Sequence, residues 1–86
     1  MLSRGRVTAA EQVASIEADI TALQARLREC ERNAAAAAEA LARGLIVSRD
    51  ARMAQEFAEV MADVLREQIE QQFEARDALI PRQRHA

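Results

Sequence analysis

From residue 13 to residue 41, apolar or small side chains recur at alternating steps of three and four: Val13, Ile16, Ile20, Leu23, Leu27, Cys30, Ala34, Ala37 and Leu41. This is an unbroken heptad seam, one continuous apolar edge along an α-helix. At ~1.5 Å per residue, a helix from Ala9 to Arg43 would be on the order of 50 Å long. A helix of that length with a greasy edge does not stand alone in water, so the seam demands a second helix.

The chain can reverse direction at Arg43-Gly44-Leu45-Ile46-Val47-Ser48-Arg49-Asp50. Arg43 suits the negative end of a helix dipole, and Gly44 can take the left-handed conformation that closes a helix. Ser48 offers a side-chain oxygen to the free amides of a new helix with Asp50 in its first turn. The apolar trio Leu45-Ile46-Val47 is expected to fold back as a plug over the end of the hairpin, with partner contact as the alternative. Upstream, Thr8-Ala9-Ala10-Glu11 reads as a capping box. Downstream, Ile80-Pro81 stops the second helix, because proline disfavours helical geometry in the residue before it.

These signals predict an all-α chain: two long antiparallel helices forming a coiled-coil-like helical hairpin, which dimerisation would extend to a four-helix bundle. The boundaries are a flexible arm and cap at 1–8, a hairpin at 9–80 (helix 9–43, bend 44–48, helix 49–80), and a flexible tail at 81–86. Folding about Ile46 pairs positions whose numbers add to about 92, given the equal rise of both helices. Leu27 then lies by Leu65, Leu23 by Ile69, Ile20 near Phe73, and Val13 near Leu79. The alanine run at 34–38 is expected to receive Met53, Phe57 and Met61, small against large. The hairpin seam therefore comprises Val13, Ile16, Ile20, Leu23, Leu27 and Leu41 with Phe57, Met61 and Leu65.

The apolar residues of the second helix do not form a single stripe. Met53, Phe57, Val60 and Val64 share one phase, and Leu65, Ile69, Phe73 and Ile80 follow another. Phe57 and Phe73 fall about 160° apart on a straight helix. One partner helix cannot cover both edges, and Val60, Val64, Ile69 and Phe73 are the expected protein-binding residues.

With 86 residues the chain is one small domain only marginally able to bury its own core. Half of its residues are apolar, but twenty are alanine and two are phenylalanine, so a second chain is expected to help. The charges nearly cancel, 12 basic against 14 acidic, which argues against a polyanion binder. All the basic residues are arginine. Arg26, Arg28 and Arg32 cluster with Glu29 and Glu31 interleaved, which weakens phosphate attraction. A small RNA- or DNA-binding regulator is thus a lesser alternative, and it also lacks stacking aromatics. No apolar run reaches the roughly 20 residues that span a bilayer, and the amino end lacks the apolar core of a secretory signal; the expected compartment is the cytoplasm.

Catalytic chemistry has few materials here. His85 is the only histidine and lies in the tail; Cys30, the only cysteine, occupies the seam of the first helix. They do not suggest a zinc site or a Cys-His nucleophile pair. There is no glycine-rich phosphate loop. The expectation is a non-enzymatic protein without cofactor or metal. Cys30 reads as a small buried apolar residue, with a redox contact between chains as the alternative.

The bend Arg43-Gly44-Leu45 and a second helix carrying Phe57, Met61, Leu65 and Ile69, in a small alanine-rich chain, resemble the small helical accessory proteins of bacterial type III secretion. The nearer likeness is to the co-chaperone that keeps the needle subunit unpolymerised; the coiled-coil stalk proteins of the export ATPase are a second. The chain is longer than the co-chaperones, mostly at its two ends, and shorter than the stalk proteins. The resemblance implies a hairpin that binds a larger helical-repeat chaperone through its apolar face. The expected function is that of a protein-binding chaperone, co-chaperone or assembly factor whose partner is a helical protein. A self-assembling homodimer is the structural alternative.

Overall fold

The computed structural model describes residues 7–80. The amino-terminal arm up to residue 6 and the tail at 81–86 lie outside the described residues. Two helices, α1 (Ala9–Ala42) and α2 (Ser48–Leu79), pack antiparallel as a helical hairpin. The protein is all-α.

Helix α1 begins as the sequence dictates. The Thr8 hydroxyl accepts from the Glu11 amide at 3.0 Å, and the Glu11 carboxylate accepts from the Thr8 amide at 3.0 Å. Two otherwise orphaned donors are satisfied reciprocally. At its other end Gly44 adopts φ 73°. The Gly44 amide donates to Leu41 at 3.0 Å and the Leu45 amide to Ala40 at 2.8 Å, the paired bonds of a Schellman motif. Arg43 pairs with Glu39 one turn earlier, at 2.9 Å.

Helix α2 starts differently from expectation. Ser48 is its first helical residue, Val47 (φ −83°, ψ 157°) occupies the cap, and no side chain accepts a bond from the first turn. The cap is displaced by one residue because Val47 already has the extended geometry required there, and valine has no oxygen to offer. Nor does the apolar trio form a plug: Ile46 is half-buried, while Leu45 and Val47 stand in solvent. Ile80 leaves the helix in an extended conformation (φ −92°, ψ 122°), as a residue preceding proline should.

The α1 edge facing α2 is the heptad seam. Ile20 and Ala37 are buried, and Val13, Ile16, Leu23, Leu27, Cys30 and Ala34 are half-buried; Leu41, near the bend, is exposed. On α2 the inward edge is Ala51, Ala58, Ala62, Leu65 and Ile69, all buried, continued by the half-buried Gln72, Arg76 and Leu79. With Gln55 these positions also step by four and three without a break. Both helices thus present true heptad edges, which is the geometry of knobs-into-holes packing.

Candidate protein-docking face

Alanine lines the bend half of the α2 seam, and that determines where its large side chains go. Phe57, expected in the seam, is 68% exposed, and Met53 is exposed beside it. Met61 is only half-buried. Small meets small between the helices, with Ala37 on one side and Ala51, Ala58 and Ala62 on the other. The physical reason is phase. The positions 58, 62, 65 and 69 bury their side chains together at heptad steps, and Phe57 falls about 100° to one side of that edge. Placing Phe57 inward would turn Leu65 and Ile69 outward.

The same geometry corrects the second expected edge. Ile69 is a seam residue, 9% exposed, beside Leu65 at 3%. Phe73 lies about 60° to the other side of the seam, where it is half-buried under Arg76. The seam therefore runs between the two phenylalanines, and only Phe73 shares a side with α1 atoms in a groove, lined with Gln24 and Leu27. Of the four expected binding residues, Val60 and Val64 are exposed and Ile69 and Phe73 are taken up by the hairpin itself.

What remains is one ridge on α2: Met53, Phe57, Val60 and Val64, spaced at four, three and four and all exposed. Sequence reasoning named Val60 and Val64 but placed Met53 and Phe57 inside. The signal that would have found them is the continuation of their phase into Glu67, Gln71 and Glu74. A phase that ends in charge is an outer face that happens to be apolar for three turns.

The ridge has an electrostatic edge. From Met53 to Glu74, α2 carries Glu56, Glu59, Asp63, Glu67, Glu70 and Glu74 against one basic residue, Arg66. Arg66 is already engaged, with Asp63 at 3.1 Å and with Glu31 of α1 at 3.6 Å. Farther along, Arg76 reaches Glu17 of α1 at 3.9 Å, so the cross-hairpin ion pairs join positions whose numbers add to 93 there and to 97 at Arg66–Glu31.

Outside the ridge the exposed large apolar residues are Val7, Leu41, Leu45, Val47 and Ile80, toward the two ends of the hairpin. Arg26, Arg28 and Arg32 are exposed on α1, and Cys30 is a free, half-buried thiol. Among the described residues no cluster of histidine, cysteine, aspartate and glutamate has the disposition to hold a metal ion. Among the described residues no helix is long and apolar enough to cross a membrane. No family model, curated protein or solved structure matches the chain.

Proposed function

We propose that this chain is a non-catalytic docking hairpin, a small chaperone or assembly factor acting in the cytoplasm, whose ridge Met53, Phe57, Val60 and Val64 receives a helix from a partner protein. One observation carries the reading. The largest side chains in the bend half of α2 face solvent while alanines fill the seam, which leaves a row of large apolar residues uncovered along the helix.

A straight row of large apolar residues at helical spacing suits an amphipathic helix, which lays its own apolar stripe alongside. The acidic edge from Glu56 to Glu74 favours a protein partner over nucleic acid, because a phosphate backbone would be repelled there. A type III secretion setting enters this proposal through the resemblance given above.

The test is a photo-crosslinking residue at Val60, introduced in the native cell, with Thr21 on the outer face of α1 as control. The expected result is a covalent protein adduct at Val60 that is lost on adding Phe57→Asp. Absence of any adduct at Val60, or an equal one at Thr21, would sink the docking reading.

A further inference from the structure

The bend carries apolar side chains that the hairpin does not use. Leu45 is 70% exposed and Val47 61%. The Leu45 amide donates to the Ala40 carbonyl at 2.8 Å and the Ala51 amide to that of Val47 at 3.0 Å, so the loop backbone is held while both side chains stand out. Neither flanking segment reaches them. Residues 1–6 and 81–86 join the hairpin at its other end, about 50 Å away, whereas six extended residues reach ~20 Å.

Charge changes sign toward the bend. From Ala9 to Ala38, α1 has five carboxylates against three arginines, and from Ala54 to Leu79, α2 has seven against Arg66 and Arg76. Between Glu39 and Met53 the balance reverses, with Arg43, Arg49 and Arg52 against Glu39 and Asp50. Arg43 is paired with Glu39. Arg49 and Arg52 are exposed, and neither has an ion-pair partner among the described residues. Both lie within ~6 Å of helix rise from Ser48, where α2 begins.

We propose that the bend is a tip that docks on an anionic lipid surface, with Leu45 and Val47 entering the headgroup layer and Arg49 and Arg52 binding lipid phosphates. Shape and charge together select this occupant. The end of a two-helix hairpin is convex and about 20 Å across. A fluid headgroup layer accepts such an end without a preformed pocket, and its apolar boundary lies ~5–10 Å deep. Guanidinium groups on long stems reach the phosphates and hold them by forked hydrogen bonds. The same surface repels the acidic flanks of both helices, so the hairpin meets it end-on. A second copy fits poorly, because two tips brought together oppose arginine to arginine. None of the ridge residues takes part, and that face stays open to a partner helix.

The experiment is vesicle sedimentation with the full chain. Phosphatidylcholine vesicles containing about one third phosphatidylserine, whose surface is negative, should carry the protein down at millimolar lipid. Vesicles of phosphatidylcholine alone should not. Arg49→Gln with Arg52→Gln should weaken partitioning by roughly twentyfold, about fivefold for each charge removed. Leu45→Ser with Val47→Ser should weaken it by at least about tenfold. All four positions are exposed, so both variants should keep their helical circular dichroism. A fluorophore sensitive to its surroundings, attached at Leu45→Cys in a Cys30→Ser background, should shift to the blue on the anionic vesicles. Attached at Thr21→Cys, midway along α1, it should not.

Protein that stays in the supernatant with anionic vesicles overturns the inference. So does equal sedimentation of the Leu45→Ser, Val47→Ser variant, which would leave charge acting alone. An equal blue shift at Thr21→Cys would lay the hairpin on its side and remove the end-on tip. A photo-crosslinker at Leu45 that captures a protein in the native cell, in a chain that ignores vesicles, assigns the bend to a protein pocket instead.

Discussion

The guanidinium carbon of Arg76 stands 5.1 Å from the centroid of the Phe73 ring. The same side chain crosses to Glu17 of α1 and is largely shielded from solvent, with 29% of it exposed. It covers one face of the Phe73 ring. Arg76→Ala should remove both the cation–π contact and the apolar stem over the ring, costing about 1 kcal/mol. For a domain of this size that lowers the midpoint of thermal unfolding by roughly 4–8 °C. A melting curve indistinguishable from the parent protein would mean that the contact stabilises nothing.

The two faces of α2 respond oppositely to size. Ala62→Leu forces a large side chain between closely packed helices and should destabilise by ~1–3 kcal/mol. Phe57→Ala removes an exposed ring and should change the isolated hairpin by no more than ~0.5 kcal/mol. Urea unfolding at sub-micromolar concentration, where pairing between chains is weakest, measures both. The reverse order would place Phe57 in the seam after all.

The two helix edges were unequally legible in the sequence. On α1, Val13, Ile16, Ile20, Leu23 and Leu27 are bulky, so volume and phase agree, and the edge reads directly. Capping at Thr8 and closure at Gly44 were equally plain, because each depends on a residue type with a specific backbone role. On α2, volume and phase disagree. Phe57 and Met53 are the conspicuous side chains, yet the continuous three-and-four spacing belongs to Ala51, Ala58, Ala62, Leu65 and Ile69. Phase prevails because a straight helix cannot turn Phe57 and Leu65 inward together without opening a gap behind one of them. Exposed Val60 and Val64 were recognisable because neither position continues to an apolar residue on their face beyond Glu67.

Gly44 has a left-handed backbone and nothing within 4 Å of where a Cβ would stand. Gly44→Ala therefore isolates the backbone term and should cost ~1–2 kcal/mol. Gly44→Asn should cost less, since asparagine visits this region more readily. Equal stability of all three proteins in chemical denaturation would show that the bend tolerates another conformation.

Cysteines at Leu23 and Ile69, with Cys30→Ser, should crosslink within one chain at high dilution. Leu23 paired with Phe57 should not, being separated by about twelve residues or ~18 Å of helix rise. Phe57 also points away from the seam. Efficient bonding of the second pair and failure of the first, followed by gel mobility without reductant, would show that the hairpin folds about a different centre.

The alanine half of the seam has a consequence for when the hairpin is whole. Alanine brings little apolar area to a contact, on the order of one methyl group each, and α2 begins there without a side-chain cap. Amide exchange should therefore be fastest in the turns nearest Gly44 and slowest around Ile20, Leu65 and Ile69, where the seam is bulky. The ridge from Met53 to Val64 is carried by the loosely zipped half. A helix arriving on it clamps α2 against α1 as well as covering Phe57, so part of its binding free energy goes into completing the fold. Association should then show a heat-capacity change more negative than the ridge area alone would give.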